Sequence, residues 1–361
     1  MAKKDKPYQS ALHKNKGVKP PEILSANSAK TIRTNRQKQP STDALVSGII
    51  DGDITALSRG ITLIESTNAR HTQKANAIVT ACLPYANKSI RIGITGVPGV
   101  GKSTFIEAFG CFLTKASKKV AVLAVDPSSS LSRGSILGDK TRMEDLVKDK
   151  NAFIRPSASG SSLGGVARKT RETIILCEAA GFDTIIIETV GVGQSETAVH
   201  SMVDFFLLLK LAGAGDELQG IKRGIIEMAD AIVINKADGD NLKAAKIAKV
   251  DFNRALHLYP SKNSGWSPKV SLCSALKQEG ISDVWEMIED YITTTSETHY
   301  FETNRNNQNK FWLLQTIEDR LKSNFYTSSQ IKSELQSQIE LVEDGKTTPF
   351  AAAEYLLGLR Q

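Results

Sequence analysis

A lysine and two hydroxyl residues end a glycine-rich segment over residues 96–104, which reads GVPGVGKST. The segment follows an apolar run at residues 90–95 and precedes a stretch with helical apolar spacing, so it fits the pattern G-x-x-x-x-G-K-[ST] between a strand and a helix. The backbone N–H groups of such a loop and the helix N-terminus hold phosphate oxygens. We expect the phosphates to lie against Gly96, Val97, Pro98, Gly99, Val100, Gly101, Lys102, Ser103 and Thr104.

Two side chains of this segment carry the chemistry of phosphoryl transfer. Lys102 can reach the β- and γ-phosphates, where a cation offsets the charge that develops during the reaction. The hydroxyl of Ser103 can ligate Mg²⁺. The segment therefore predicts a nucleoside triphosphate bound with Mg²⁺, and it predicts Lys102 as a catalytic residue.

A second candidate region, residues 185–196, reads IIIETVGVGQSE. Glu188 follows three β-branched residues, and Gly191 stands three positions later, as in the pattern D-x-x-G whose glycine N–H contacts the γ-phosphate. The acid here is Glu and not Asp, and its longer side chain favours contact with the metal through water. The alternative is a carboxylate that only caps the end of a strand.

Two aspartates lie in the polar segment DPSSSLSRGSILGDKTRM over residues 126–143. Asp126 follows an apolar run, at the strand end where open parallel sheets bind ligands. Asp139 lies in a loop that can close over Mg²⁺, and the alternative for Asp139 is an ordinary turn residue.

A third motif, NKAD, predicts which nucleobase is bound. Its residues Asn235, Lys236 and Asp238 follow another apolar run. An aspartate there can accept hydrogen bonds from N1–H and the 2-amino group of guanine, whereas adenine would leave it unpaired. Asn235 and Lys236 would brace the loop and cover the base. A later segment, Ser274, Ala275 and Leu276, matches an element whose backbone N–H contacts guanine O6. GTP and GDP are therefore the predicted ligands.

The elements that must position these residues are short apolar runs separated by helical stretches. The runs lie at residues 90–95, 120–125, 152–154, 184–187, 205–211, 231–234 and 270–273. Strands spaced by helices predict an α/β fold with a mainly parallel central sheet. We predict a basic disordered tail over residues 1–40, a helical segment over 41–86, the P-loop domain over 87–300 and a helical dimerisation arm over 301–361. Asp53 and the pair Thr348–Pro349 are predicted helix starts. Leu314, Ile317 and Leu321 have the spacing of an amphipathic helix, whose apolar stripe needs a second surface, so we expect the arm to form or support a dimer.

Charge and composition limit the function classes. Residues 1–40 hold ten of the 46 Lys/Arg residues and two of the 39 acids, which leaves 36 cations and 37 acids elsewhere. The net charge of +7 therefore belongs to the tail, and we predict no nucleic-acid partner. The four cysteines form no CxxC pair, and no apolar run is long enough to span a bilayer. These features predict a cytoplasmic protein without a membrane partner.

At the level of whole motifs the chain resembles the methylmalonyl-CoA mutase-associated GTPase chaperones, a family formerly labelled lysine/arginine/ornithine transport accessory kinases. The resemblance rests on GVPGVGKST, VDPSSSLSRGSILGDKTRM, LGGVARKTRE, CEAAGFDTIIIETVGVGQSE, GAGDELQGIKRGI and NKAD. It implies a P-loop GTPase that works as a homodimer and gates adenosylcobalamin delivery to the mutase. It also implies that Asp126, Asp139 and Glu188 hold Mg²⁺ or water, and that residues 213–223 form a switch.

The sequence leaves alternative functions open. One is a kinase or ATPase that serves lysine/arginine/ornithine transport, although no acceptor pocket or base is visible. Another is a metal-insertion GTPase, although the chain has no His-rich or CxC segment. In small signalling GTPases a Gln directly after the D-x-x-G glycine orients the attacking water, and Val192 occupies that position here. We therefore expect slow intrinsic hydrolysis that a partner stimulates.

Overall fold

The computed structural model describes residues 40–125, 143–156, 163–189, 195–213, 223–260 and 262–359. Three predicted site residues lie outside the described residues, namely Asp126, Asp139 and Gly191, as does Val192. The same holds for nearly all of the predicted tail and for most of the predicted switch over residues 213–223.

Seven strands build the sheet: β1 (Ile90–Gly96), β2 (Val120–Val125), β3 (Ala152–Arg155), β4 (Thr184–Thr189), β5 (Phe205–Leu211), β6 (Ala231–Asn235) and β7 (Lys269–Leu272). Their order is β3-β2-β4-β1-β5-β6-β7, and every neighbouring pair is parallel. The prediction of a mainly parallel sheet is confirmed, and each apolar run is a strand with ends within two residues of those expected.

Helices cover the sheet and form both ends of the described chain. They are α1 (Thr42–Ile50), α2 (Ile54–Glu65), α3 (Ala69–Cys82), α4 (Lys102–Lys115), α5 (Leu163–Ala179), α6 (Ser195–His200), α7 (Arg223–Met228), α8 (Leu242–Leu256), α9 (Ile281–Glu297), α10 (Tyr300–Thr327), α11 (Ser329–Glu343) and α12 (Pro349–Gly358). Within the described ranges, no helix combines the length and the apolar character needed to cross a bilayer.

Alternation along the central strands fills two separate cores. Ile185 and Ile187 of β4 belong to one cluster, with residues of α2 and α5, whereas Ile186 belongs to another, with residues of α4 and α9. In β5 the same alternation assigns Phe206 to the first cluster and Leu207 to the second. Successive side chains of a strand point to opposite faces, so continuous apolar runs are what a sheet covered on both sides requires.

Two helix starts follow the sequence signals predicted for them. The carboxylate of Asp53 accepts from the backbone N–H of Thr55 at 2.8 Å and caps α2. The hydroxyl of Thr348 accepts from the backbone N–H of Ala351 at 3.1 Å, and Pro349 is the first residue of α12. Both caps satisfy donors that a helix N-terminus otherwise leaves unpaired.

A buried ion-pair network attaches α10 to the amino ends of β1 and β5. The guanidinium of Arg305 donates to both carboxylate oxygens of Asp204, at 2.7 and 2.6 Å, and to the backbone oxygen of Ser89 at 2.6 Å. Asp204 also accepts from the backbone N–H of Arg91 at 2.8 Å, and the side chain of Arg91 pairs with Glu178. One turn of α10 is thereby fixed to the edge of the sheet opposite the phosphate loop.

The remainder of α10 leaves apolar side chains uncovered. Leu314, Ile317 and Leu321 were expected to form the apolar stripe of an amphipathic helix, and in the single chain they are 61%, 47% and 58% exposed. In contrast, Ile331 of α11 is buried. The stripe exists as predicted, and the described part of the chain leaves it exposed.

Candidate functional site

The phosphate loop connects β1 to α4 in the middle of the sheet. Gly99 and Gly101 have φ of 83° and 91°, a region that residues other than glycine rarely adopt. A Cβ atom on Gly101 would also lie 2.9 Å from the side-chain nitrogen of Asn235. The loop therefore requires glycine there, and α4 begins directly after it at Lys102, so the helix N-terminus faces the loop.

Lys102 folds back over its own loop. Its ammonium donates to the backbone oxygen of Gly96 at 2.8 Å and to that of Val97 at 3.3 Å. Burial lowers the pKa of Lys102, and the negative charges of Glu188 and Glu196 oppose that shift. The loop thus holds a cation at the position where phosphate oxygens are expected.

The other loop residues differ in exposure. Ser103 is half-buried in the first turn of α4, while Thr104 is exposed. Val100 is fully buried and anchors the loop to the core, whereas Pro98 and Gly99 are exposed.

Glu188 lies at the same edge of the sheet as the loop. It is the fifth residue of β4 and stands opposite Ile94 of β1 and Ala124 of β2, so the strand continues one residue beyond the acid. The next residue, Thr189, donates its hydroxyl to that of Thr95 at 2.8 Å, and both threonines are buried. This bond ties the strand that leads to Gly191 to the strand that leads to the phosphate loop.

Two of the predicted metal ligands, Ser103 and Glu188, are described, and both are oxygen donors beside the phosphate loop. No group of three or more His, Cys, Asp or Glu side chains poised to hold a metal occurs in the described ranges. Mg²⁺ typically keeps several waters and substrate phosphates and takes only one or two protein ligands. A hydroxyl and a carboxylate therefore fit Mg²⁺ here.

Asn235 connects the three nucleotide motifs. Its side-chain amide donates to the backbone oxygen of Val100 at 2.9 Å, and its side-chain oxygen accepts from the backbone N–H of Ala275 at 3.1 Å. The ammonium of Lys236 donates to the backbone oxygen of Gly99 at 2.9 Å. The predicted bracing of the phosphate loop by this motif is thus a set of hydrogen bonds between loops far apart in the sequence.

Asp238 faces the Ser274 loop. The hydroxyl of Ser274 donates to one carboxylate oxygen of Asp238 and accepts from the backbone N–H of Lys277 at 3.2 Å. Ala275 is buried, whereas Leu276 is 81% exposed. One carboxylate oxygen of Asp238 is therefore held by a neighbouring side chain, and the carboxylate keeps further lone pairs. The side chain of Leu276 is mostly exposed and not packed in the core.

Several positions in and around this site were missed by sequence reasoning. Thr95 and Thr189 belong to no motif that predicts the hydrogen bond between their hydroxyl groups. Asn241 donates its amide to the backbone oxygen of Lys236 at 2.7 Å and stabilises a residue with φ of 57°. Glu196 is buried, and its negative charge raises the pKa of Lys102 against the effect of burial.

A cavity of about 860 Å³ lies elsewhere, with His200, Asp230, Trp266, Tyr291 and Tyr300 among its lining residues. None of the residues of the three nucleotide motifs lines it. The motif geometry, and not cavity size, therefore defines the candidate site.

Comparison with known proteins agrees with these motifs. The family model described as methylmalonyl Co-A mutase-associated GTPase MeaB matches residues 57–330. A putative GTPase of Caulobacter vibrioides is 49% identical over 315 residues, which are 87% of this chain and 96% of that protein. The mitochondrial methylmalonic aciduria type A homolog of Mus musculus is 42% identical over 331 residues, 89% of this chain and 80% of that protein.

A solved structure described as LAO/AO transport system kinase superposes with a TM-score of 0.72 at 36% sequence identity. The match covers 89% of this chain and 97% of that chain. The family resemblance and the fold class predicted from the sequence are both confirmed.

Proposed function

This chain belongs to the family of the methylmalonyl Co-A mutase-associated GTPase MeaB, and we propose that it binds and hydrolyses GTP to gate adenosylcobalamin loading and protection of methylmalonyl-CoA mutase or a related acyl-CoA mutase. The observation that carries the nucleotide part is the double contact of Asn235 with Val100 and Ala275. These two hydrogen bonds link the proposed phosphate loop to residues 274–276, which are proposed to contact guanine. The mutase part is supported by the description of the family.

In the proposed reaction the phosphates of GTP lie along the backbone of residues 96–101. Lys102 exchanges its bonds with the backbone oxygens of Gly96 and Val97 for the β- and γ-phosphates, since phosphate oxygens carry the greater negative charge. Water attacks the γ-phosphorus, the bond to the β,γ-bridging oxygen breaks, and GDP and phosphate leave. The backbone N–H of Gly191 contacts the γ-phosphate in this proposal.

Ser103 and Glu188 would hold Mg²⁺, with Asp126 and Asp139 as further ligands or as residues that position water. The ion supplies charge neutralisation between the β- and γ-phosphates. Glu188 is suited to this part because it lies inside β4, next to the threonine pair that fixes the strand ends.

Guanine selection is proposed to rest on Asp238, Ser274 and the backbone of residues 274–276. The bond from Ser274 fixes one oxygen of Asp238, and the carboxylate retains lone pairs for N1–H and the 2-amino group. Adenine would leave those acceptors unpaired, and unpaired buried groups are what give polar sites their strong discrimination.

The proposed assembly is a homodimer formed through the helical arm, acting on a cobalamin-dependent mutase. The exposed stripe of α10 supports a dimer because large exposed apolar areas mark interaction sites. The four cysteines support a cytoplasmic location, since they are free thiols, three of them buried, which suits a reducing compartment.

Phosphate release with and without the apo mutase tests this function. We expect slow basal hydrolysis of GTP, loss of that hydrolysis in Lys102→Ala, and at least tenfold acceleration by the mutase, equivalent to ~1.4 kcal/mol of barrier. Lys222→Ala or Arg223→Ala should blunt the acceleration while leaving basal turnover nearly unchanged, because both residues lie in the proposed switch over residues 213–223 and not in the phosphate loop. Fast hydrolysis indifferent to the mutase, or transfer of the γ-phosphate to an acceptor protein, would contradict it.

A further inference from the structure

The cavity of about 860 Å³ lies away from the three nucleotide motifs and has no part in the proposed GTPase reaction. Described residues of the turns before β5, β6 and β7 line it, together with residues of α8, α9 and α10. These turns lie at the amino edge of the parallel sheet, whereas the phosphate loop lies at the carboxyl edge. A cavity of this volume can hold a small organic molecule.

Tyr291 of α9 lines this cavity with an unused polar group. The residue is 3% exposed, and within the described part of the chain its hydroxyl makes no hydrogen bond. Burial and the negative charge of Asp230 raise the pKa of Tyr291, so the hydroxyl stays uncharged. A buried hydroxyl without a partner is costly, and a molecule in the cavity would supply the partner.

Trp266 connects Tyr291 to the acid at the start of β6. The indole N–H of Trp266 donates to the backbone oxygen of Asp230 at 2.9 Å, and its ring centroid lies 5.4 Å from that of Tyr291, edge to face. All three residues line the cavity. A carboxylate, a free hydroxyl and aromatic rings therefore meet on one stretch of its wall.

The charged groups around the cavity leave no cation free to bind an anion. Among the described residues that line it, three are carboxylates, Asp204, Glu227 and Asp230, and one is an ammonium, Lys262. The ammonium of Lys262 donates to the backbone oxygens of residues 228–229 at 2.9 and 2.8 Å and to Asp230 at 2.8 Å. All three of its N–H donors are thereby used.

The balance of charge in the described lining is negative. Asp204 is paired with Arg305, and Asp230 is paired with the ammonium just described. Glu227 is exposed and makes no ion pair within the described ranges. Burial lowers the pKa of His200, another lining residue, so its ring adds no charge at neutral pH. Negative charge beside aromatic rings is an environment that attracts organic cations.

We propose that this cavity binds a small organic cation, an amine with an apolar body. The ammonium would bind between Asp230 and the hydroxyl oxygen of Tyr291. Each carboxylate oxygen of Asp230 accepts one hydrogen bond in the structure and retains a lone pair. The apolar body would lie against Trp266 and Leu256, and the charge of Glu227 would attract the cation. This inference goes beyond the proposed function and does not depend on it, because no residue of the nucleotide motifs lines the cavity.

The first test compares three probes of similar size and different charge, namely phenylethylamine, phenylethanol and phenylpropionate. Calorimetry on the full chain measures their affinities with and without GDP and Mg²⁺. We expect the amine to bind about tenfold more tightly than the alcohol, and the anion to bind most weakly. GDP should leave the amine affinity unchanged.

Three results of this comparison overturn the proposal. One is the absence of saturable amine binding at millimolar concentration. Another is an alcohol or an anion that binds as tightly as the amine. The third is loss of amine binding when GDP is added, since the amine would then occupy the nucleotide site. If GDP itself does not bind but the amine does, the proposed GTPase function fails and the amine site stands.

The second test is Tyr291→Phe, which keeps the ring and removes only the hydroxyl. We expect amine affinity to fall about fivefold, as for the loss of one hydrogen bond, without a lower unfolding midpoint, because the hydroxyl has no partner in the described chain. Tyr326→Phe is the matched control, since Tyr326 is exposed and does not line the cavity, and it should bind the amine as the wild type does.

Glu227→Gln keeps the proposal testable if the tyrosine variant fails to fold, because Glu227 is exposed. It should weaken binding of phenylethylamine and leave that of phenylethanol unchanged, since only the amine is charged. Unchanged amine affinity in a folded Tyr291→Phe overturns the assignment of the hydroxyl to the site. Unchanged amine affinity in Glu227→Gln overturns the attraction by charge, and unchanged affinity in both variants overturns the site.

Discussion

The side-chain amide of Asn235 donates to the backbone oxygen of Val100 at 2.9 Å, although 135 residues separate the two positions. Asn235 is buried, and its side-chain oxygen is occupied by Ala275. One side chain thus links the loop of residues 96–101 to the loop of residues 274–276. The relative position of these two loops depends on this residue.

Asn235→Ala should weaken GTP binding through geometry, not through a lost ligand contact. The change leaves the backbone oxygen of Val100 and the backbone N–H of Ala275 without these partners, at about 1–3 kcal/mol for each unsatisfied group. We expect GTP and GDP affinity to fall together in calorimetry, with a lower melting temperature. Asn241→Ala, which removes an exposed bond to Lys236, is the control and should have the smaller effect. Equal effects of the two substitutions would contradict the bracing role.

Asp238→Asn should change which base is preferred. Xanthine offers an acceptor where guanine offers an amino group, and an asparagine amide can donate to it, so xanthosine triphosphate should compete better than GTP. Competition binding with GTP, ATP and xanthosine triphosphate measures the order. In the control Ser274→Ala the carboxylate loses its brace, so affinity should fall while the preference for guanine remains. Equal affinity of the wild-type chain for ATP and GTP would contradict the proposed role of Asp238 in guanine recognition.

The strands were predictable because a parallel sheet buried on both faces needs continuous apolar runs, and seven such runs stand between helical stretches. The end of β4 was harder, since Glu188 reads as the end of a strand and in the structure Thr189 continues the pairing with β2. The spacing of Leu314, Ile317 and Leu321 predicts an apolar stripe on α10. Spacing alone does not indicate whether the stripe packs against the same chain or against another one.

The candidate site was predictable where a motif fixes spacing along the chain, as for Lys102 and Asp238. It was not predictable where the contact joins distant segments. Arg305 pairs with Asp204 across 101 residues, and no local pattern marks either one. The same holds for the hydroxyl bond between Thr95 and Thr189, because an alternating strand position predicts burial but not the partner.

Arg305→Met should destabilise the fold while keeping much of the side-chain volume. It leaves the carboxylate of Asp204, which is 1% exposed, with the backbone N–H of Arg91 as its remaining bond from the network. Removal of one partner from a buried ion pair typically costs about 3–5 kcal/mol. Denaturant unfolding measures the loss.

The control for this prediction is Lys346→Met, which removes an exposed pair with Asp344. Pairs of this kind contribute little because water and salt screen them, so its unfolding midpoint should stay close to the wild-type value. Similar unfolding midpoints for Arg305→Met and the wild type would show that the Arg305–Asp204 ion pair is not needed for stability.

The double substitution Leu314→Asp and Leu321→Asp in the helical arm should prevent dimerisation. Both side chains are more than half exposed in the single chain, so charges there should not disturb the fold of one chain. If a second copy covers the stripe, each charge is buried on association and opposes it. We expect light scattering to report a dimer for the wild type and a monomer for the double variant, with matching circular dichroism. Trp312→Ala is the contrasting case, since Trp312 is buried against its own chain and its loss should lower stability. A double variant that remains dimeric would place the dimer interface away from this face of α10.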